Sequence, residues 1–207
     1  MSLRTLATQA YTEVEQPSWF RRACVIGIVL SLLSPTDLKS YRTAPPDRNT
    51  VAVVTDSYGR FVVNAAQVAM PLVTRDAVGM LQLVYVSLGT TALTHAIKFL
   101  VQDVTVWNTR LGERPSRPGS RNNMPSGHAS MASCAVYYLG RRYGWWHLLY
   151  AVPIMLLTMY ARVALQAHTV SAAIAGMLVG LLMAAVFTGK RQMAAAADIA
   201  PVVDSRG

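Results

Sequence analysis

Charged residues are scarce in this chain. They make up 14% of its 207 residues, against about a quarter in an ordinary soluble domain. Apolar residues make up 53%, and the mean hydropathy is +0.31. This composition excludes a large soluble domain and predicts a membrane protein.

Cysteine is also rare. The two cysteines, Cys24 and Cys134, lie inside apolar segments, and the sequence has no CxxC pair and no cluster of cysteine with histidine. Zinc sites built on thiolates need such clusters. We therefore expect neither a disulfide bond nor a thiolate metal site.

Acidic residues are few, with 10 Asp and Glu against 19 Lys and Arg, for a net charge of +9. A basic chain can bind nucleic acid, but these basic residues stand singly or in pairs between apolar runs. Residues in such positions typically flank membrane spans. We therefore expect the lipid bilayer, and no nucleic acid, as a partner.

The apolar runs predict the helices. Three runs approach the ~20 residues that a helix needs to cross a bilayer: Ala77 to Val101, Trp145 to Val163 and Val170 to Phe187. A fourth run is rich in small residues, which suits close packing, and two weaker runs complete the set: Gly127 to Leu139, Ala23 to Leu33 and Phe61 to Val73. The prediction is an all-α, multi-pass transmembrane bundle of about six helices, forming one domain over residues 1–207 with flexible termini.

The charges that flank these runs predict the orientation. If six helices alternate, the close basic residues fall on one side: Arg21-Arg22, Arg75, Arg141-Arg142 and Lys190-Arg191. Positive residues next to spans favour the cytoplasmic side, so we expect this side to face the cytoplasm. The run that follows Arg22 also fits a cleaved signal peptide, although no small-residue cleavage site comes after it.

Ionisable residues gather at the opposite ends of these helices. Lys98 closes the third helix, His128 opens the fourth, Arg162 closes the fifth and His168 opens the sixth. Such residues at the edge of the hydrocarbon usually serve a site or a pathway. The connector before the fourth helix adds further cations at the same level: Arg110, Arg114, Arg117 and Arg121. Guanidinium groups bind phosphate oxygens in pairs, so this face predicts a site for the phosphate of a lipid headgroup.

Two local patterns add chemistry to this face. The run from Pro125 to His128 leads into a helix, so the free N–H groups of the first turn and the Ser126 hydroxyl can receive a phosphate oxygen. Gly127 permits close approach of the backbone. A histidine can attack phosphorus and form a phosphohistidine while a second histidine protonates the leaving oxygen.

These residues resemble the type-2 phosphatidic acid phosphatases, relatives of the bacterial acid phosphatases and vanadium haloperoxidases. That family has a Lys and an Arg-Pro, then PSGH, then Ser-Arg-x5-His-x3-Asp. The matching residues, within residues 98–180, are Lys98, Arg114-Pro115, Pro125 to His128, and Arg162 with His168. The resemblance implies a six-helix membrane bundle with His168 as nucleophile, His128 as general acid and no required metal or cofactor. The phosphate-binding residues that it implies are Lys98, Arg114, Ser126, Gly127 and Arg162.

The sequence departs from the family pattern at three points. Lys98 and Arg114 are further apart than usual, with fifteen residues between them, and Ala161 replaces the serine before Arg162. Ala172 stands where the family has aspartate. In the analogous serine-protease triad, loss of that carboxylate costs about 10⁴ in rate.

Three hypotheses follow from Ala172. The chain is an inactivated variant, or another acid such as Asp103 or Glu113 supports His168, or the protein binds lipid phosphates without turnover. If Ala172 lies one turn beyond His168 on the same helix face, Ala172→Asp should raise turnover by on the order of 10² to 10⁴.

With the resemblance, the predicted function is a metal-independent lipid phosphatase of the bacterial inner membrane. It is expected to work through a phosphohistidine at the periplasmic face. Candidate substrates are lipid A, undecaprenyl pyrophosphate and phosphatidylglycerophosphate, so the partner is a phospholipid or glycolipid. Within the family, the run from Gly112 to Pro115 is most similar to the lipid A phosphatases. A phosphotransferase that passes the phosphate to a second lipid fits the same residues, and an inactive lipid-phosphate binder is the alternative of a different class.

Overall fold

The computed structural model describes residues 2–12, 14 and 18–191. Over these residues the α-helices are α1 (Leu3–Thr12), α2 (Ser18–Leu33), α3 (Lys39–Arg42), α4 (Thr50–Val54), α5 (Arg60–Val73), α6 (Ala77–Val101), α7 (Gly127–Arg142), α8 (Leu148–Ala164) and α9 (Val170–Phe187). A π-helical turn, Thr55–Gly59, joins α4 to α5, and a 3-10 turn, Trp145–His147, leads into α8. Two short antiparallel strands, β1 (Thr105–Val106) and β2 (Thr109–Arg110), lie in the connector between α6 and α7.

The prediction of an all-α membrane bundle is confirmed. The six expected helices are α2 and α5 to α9, and their bounds lie close to the predicted ones. Three segments are long and apolar enough to cross a membrane by length and composition: Ala77–Val101, Trp145–Ala164 and Val170–Phe187. The helix that ends at Val73 is longer than predicted, because α4, the π-helical turn and α5 follow one another without a break from Thr50.

Helices α7 and α9 pack closely at the centre of the bundle. A side chain at Gly176 would collide with the backbone carbonyl of Ser126, and one at Gly180 with that of Ser130. The absence of side chains at these glycines therefore lets the α9 backbone approach α7 directly. The Ser133 hydroxyl adds a hydrogen bond of 2.8 Å to the carbonyl of Met177. This agrees with the close packing predicted for the fourth helix.

The N-terminal part of the chain is built into the same bundle. Helix α2, the run that also fitted a signal peptide, packs against α9 with Gly27 facing Leu178. Residues 3–12 form α1, and the Gln82 side chain donates a hydrogen bond of 3.0 Å to the carbonyl of Ala10. The flexibility expected of the termini stays a prediction. The expected flexible C-terminal tail, from residue 192 on, lies outside the described residues.

The bundle has two distinct ends. We call one the basic end, because the flanking basic residues Arg75, Arg142 and Arg191 lie there, linked through contacts with residues 74–76. The other is the connector end, formed by the segment between α6 and α7 and the turn between α8 and α9. Both cysteines, Cys24 and Cys134, are free and buried between these ends.

Candidate active site

His168 lies at the connector end, directly before Thr169, which caps the N-terminus of α9. Its side chain is almost fully buried, at 2% exposure. The ring Nδ1 lies 2.7 Å from the backbone carbonyl oxygen of Asn123. Because a carbonyl oxygen can only accept a hydrogen bond, Nδ1 carries the proton and donates it. The neutral ring therefore keeps its lone pair on Nε2, which is the atom available for attack on phosphorus.

Three predicted cations act on this ring. Burial, followed by the positive charges of Lys98, Arg162 and Arg114, holds the pKa of His168 well below its usual value. The ring is therefore neutral near pH 7, as a nucleophile must be. The sequence placed Lys98, Arg162 and His168 at helix ends. It placed Arg114 in the connector, and the structure brings these four residues together.

Lys98 and Arg114 meet despite their unusual separation in sequence. The Lys98 ammonium donates a hydrogen bond of 2.8 Å to the backbone carbonyl of Asn122, and the Arg114 guanidinium lies 3.4 Å from the same oxygen. Burial and the nearby charges of Arg162 and Arg117 lower the pKa of Arg114. The longer connector thus folds both cations onto one point, as the family pattern requires.

Arg162 lies in the last turn of α8 and is largely buried. Its Nη1 donates a hydrogen bond of 2.6 Å to Asp56, while its Nε is buried and has no partner among the residues that the structure describes. Ala161, which replaces the family serine, is fully buried beside it. The guanidinium therefore carries one buried N–H donor that no described residue accepts.

Asp56 is a site residue that the sequence analysis missed. It lies in the π-helical turn between α4 and α5, and such turns are frequent at functional sites. A carboxylate within an otherwise apolar segment was the available signal, because charges in such segments usually have a partner.

The N-terminus of α7 lies beside His168. The backbone N–H of Ser126 donates a hydrogen bond of 2.8 Å to the carbonyl of Ala172. The Ser126 hydroxyl is buried and caps α7 by accepting from the N–H of Ala129. A side chain added at Gly127 would meet only Thr94, at 4.0 Å, so there is open space at this position. The phosphate-binding roles of Ser126 and Gly127 stay predictions.

His128 lies on the first turn of α7 and is partly buried. With Phe61, Asn64 and Met131 it lines a small cavity of about 100 Å³ between α5 and α7. This places the imidazole at the connector end, on the α5 side of α7. Its role as general acid stays a prediction.

Two expectations about the missing aspartate are wrong. His168 precedes the cap of α9 in non-helical backbone, so Ala172 does not lie one helical turn beyond it. Asp103 pairs with Arg121 at 3.1 Å, and Glu113 pairs with an arginine of the connector at 3.6 Å. The acceptor for the ring N–H is a backbone carbonyl and not a second carboxylate.

Within residues 2–12, 14 and 18–191, no group of three or more His, Cys, Asp and Glu side chains could hold a metal ion. His147 is buried near the basic end, with its Nδ1 2.7 Å from the Tyr150 hydroxyl.

The chain belongs to the PAP2 superfamily, whose model matches residues 79–195, more than half of its length. A lipid A 1-phosphatase of Helicobacter pylori strain J99 is 45% identical over 139 residues, covering 67% of this chain and 72% of that protein. The lipid A 1-phosphatase of Helicobacter pylori strain 26695 is 44% identical over 138 residues, with the same coverage.

Among solved structures, the chain is similar to the transmembrane PAP2 type phosphatidylglycerolphosphate phosphatase of Bacillus subtilis. The sequences are 20% identical, the match covers 86% of this chain and 79% of that one, and the TM-score is 0.41. The predicted family is confirmed by the family model, and the protein is a membrane-embedded lipid phosphatase of this superfamily.

Proposed function

We propose that this protein removes the 1-phosphate of lipid A, or of a glycolipid of the same kind. The observation that carries the chemistry is a buried, neutral histidine with Nδ1 fixed by a carbonyl and three cations around it. The preference for lipid A over the other candidate lipids comes from the relatives at 45% and 44% identity, which are lipid A 1-phosphatases.

In the first step, Lys98, Arg114 and Arg162 bind the phosphate oxygens and offset their charge. The Nε2 lone pair of His168 attacks phosphorus, and the bond between phosphorus and the glycolipid oxygen breaks. His128 gives its proton to that oxygen, so the lipid leaves as an alcohol. The products of this step are the dephosphorylated lipid and a phosphohistidine.

In the second step, water attacks the phosphohistidine. His128, now neutral, accepts a proton from the water as its oxygen bonds to phosphorus, and the bond from phosphorus to Nε2 breaks. Inorganic phosphate leaves, and His168 returns to its neutral form. A lipid hydroxyl in place of water would make the protein a phosphotransferase.

A panel of lipid phosphates tests this proposal. Purified protein in bilayers is given lipid A, undecaprenyl pyrophosphate or phosphatidylglycerophosphate, with and without EDTA, and released phosphate is measured. We expect release from lipid A that EDTA leaves intact and that His168→Ala abolishes. Loss in EDTA with recovery in Mg²⁺ would overturn the metal-free mechanism. Transfer to an added lipid would indicate a phosphotransferase, and binding without turnover an inactive binder.

The nucleophile and the general acid need separate tests. Labelled phosphate trapped during turnover should be acid-labile, base-stable and bound to His168, and an adduct elsewhere would end the assignment. His128→Ala should slow the first step most for poor leaving groups, which need the proton. Equal losses for good and poor leaving groups would contradict the role of His128.

We also propose that the connector end faces the periplasm of a bacterial inner membrane. The basic residues at the other end support this orientation, because such residues favour the cytoplasm. Both native cysteines are buried, so single exposed cysteines can report the side. Asn108→Cys should react with an impermeant thiol reagent in intact spheroplasts, and Lys190→Cys only after lysis. The reverse pattern would invert the orientation.

A further inference from the structure

Asn123 makes an unusual set of contacts around the nucleophile. It is buried, at 2% exposure, and its backbone carbonyl accepts the bond from Nδ1 of His168 at 2.7 Å. Its side-chain oxygen accepts from the backbone N–H of Thr169 at 3.1 Å, and its side-chain nitrogen donates to the Thr169 hydroxyl at 3.2 Å. Its own N–H donates to the carbonyl of Gly112 at 2.9 Å. Asn123 therefore links the connector to His168 and Thr169.

We propose that Asn123 is the positioning residue of this enzyme. Its carbonyl holds the ring of His168 where the family uses an aspartate, and its amide side chain fixes that carbonyl by binding Thr169. The proposal rests on the proposed function, in which His168 is the nucleophile. Asn123 itself does not touch the phosphate.

The carbonyl supplies one of the two functions of a carboxylate. Both groups accept the N–H of Nδ1, hold the ring in one tautomer and direct Nε2 at phosphorus. A carbonyl carries no full charge, however, so it offsets the positive charge on the ring less than a carboxylate does. We therefore expect an enzyme whose nucleophile is well oriented and whose ring charge is offset mainly by the bound phosphate.

The same segment also positions the cations. The carbonyl of Asn122, one residue earlier, accepts from Lys98 and lies near Arg114. Two consecutive carbonyls therefore hold the phosphate-binding side chains and the nucleophile. The Asn123 side chain fixes this segment against the start of α9. It therefore sets the distance between the phosphate-binding cations and His168.

Ala172 fits this arrangement because it is small. It is fully buried and packs in one apolar cluster with Leu111 and Met124. Its carbonyl accepts the N–H of Ser126. A methyl group at this position lets the segment that carries Asn123 lie directly on the first turn of α9. The small side chain of Ala172 is therefore compatible with the Asn123 carbonyl as the acceptor for His168.

Two Asn123 variants test the proposal. Asn123→Ala removes the clamp on Thr169, and we expect kcat to fall on the order of 10² with little change in KM, because an error of about 1 Å in placing a reacting group costs that much. Asn123→Asp keeps an acceptor for the Thr169 N–H and should retain more activity than Asn123→Ala. Asn108→Ala, an exposed asparagine in the same connector, is the matched control and should leave kcat unchanged.

The isomer of the trapped phosphohistidine gives a readout that a purely structural role would not change. The unaltered protein should carry phosphate on Nε2 alone, because Nδ1 is occupied. In Asn123→Ala the ring can turn, so part of the phosphate should appear on Nδ1. Unchanged kcat and a single Nε2 isomer in Asn123→Ala would overturn the proposal, as would an Nδ1 adduct in the unaltered protein.

A second pair of variants serves if Asn123→Ala does not fold. Thr169→Val removes the hydroxyl that Asn123 binds, whereas Thr169→Ser keeps a hydroxyl there. We expect Thr169→Val to lower kcat and mix the isomers, and Thr169→Ser to resemble the unaltered protein. Equal behaviour of both would overturn the role of Asn123. Turnover that survives His168→Ala would instead refute the proposed function, whatever the Asn123 variants do.

Discussion

Two buried arginines lie at opposite ends of the bundle. They differ in which of their guanidinium N–H groups have an acceptor in the protein. At the basic end, Arg142 donates from Nε and Nη2 to both oxygens of Asp76 at 2.6 and 2.7 Å, and from Nη1 to Gln82 at 3.1 Å. At the connector end, Arg162 donates from Nη1 to Asp56, and its Nε has no partner among the residues that the structure describes. All three nitrogens of the Arg142 guanidinium therefore donate to a protein oxygen, whereas the Nε of Arg162 does not.

The two ends also differ in the acceptors that their cations contact. Burial alone would raise the pKa of Asp76, but hydrogen bonds from Arg142, the Gly79 N–H and Tyr143 lower it on balance. At the connector end, Lys98 and Arg114 meet a backbone carbonyl and not a carboxylate. Removal of one partner from a buried ion pair destabilises the fold, because a buried charge is left uncompensated. Cations with no carboxylate partner among the described residues instead stabilise an anion that binds there. The comparison predicts opposite effects on activity and stability when each end is altered.

The largest expected effect is on activity at the connector end. Arg162→Gln should lower kcat/KM by on the order of 10² to 10³, the usual cost of one lost donor to transition-state charge. The melting temperature should change little, because the Asp56 carboxylate that loses its partner is partly exposed to solvent. Phosphate release measures kcat/KM, and thermal melting in detergent measures stability. The exposed Arg75→Gln variant is the control. A large loss of stability with normal kcat/KM would reverse the comparison.

The next effect is on stability at the basic end. Asp76→Ala leaves the Arg142 guanidinium buried without its counter-ion and should lower the free energy of unfolding by about 3 to 5 kcal/mol. The folded fraction should keep its kcat, since Asp76 is far from the connector end. Denaturant unfolding measures the change, with exposed Asp37→Ala, expected to cost under about 1 kcal/mol, as the control. A loss below about 1 kcal/mol would show that the pair is not needed for folding.

A smaller effect is expected with pH. The pKa of His168 lies well below 6.5 in the folded protein, whereas in the unfolded chain it is about 6.5. Below that pH the unfolded chain takes up a proton that the folded protein refuses, so stability falls with pH, by at most about 1.4 kcal/mol per unit. Above pH 6.5 this contribution is fully present.

His168→Gln isolates this contribution. Free energies of unfolding at pH 7.5, 6.5 and 5.5 should show a steeper decline in the unaltered protein than in the variant. Equal declines in both proteins would mean that His168 titrates normally in the fold. Such a result would also remove the electrostatic evidence that the three cations surround it.

The smallest effect is expected from Ala172→Asp. The proton on Nδ1 is already donated to Asn123 at 2.7 Å, and the new carboxylate would enter an apolar cluster at a cost in stability. We expect kcat to rise less than tenfold, well short of the gain expected from the sequence. A gain of 10² or more would show that the carboxylate displaces the carbonyl, and that Asn123 is a weak substitute.

Most of the helices followed from the sequence because a membrane imposes its own length and apolarity on them. The run from Ala77 to Val101 was predicted with both its bounds. Helix α1 was not predicted, because an amphipathic helix of ten residues carries a weaker signal than a span. The extension of α5 through the π-helical turn was hidden by polar residues such as Asp56.

The sequence alone determined the family and supplied the residues proposed to carry the chemistry, because PSGH and the spaced Lys, Arg and His residues must appear in the chain itself. What the tertiary structure decided is how those residues are supported. The acceptor for His168 is a backbone carbonyl, and every residue has one, so no side-chain pattern could identify it. Likewise, Arg142 and Arg162 are alike in the sequence and differ only in the partners that folding brings to each.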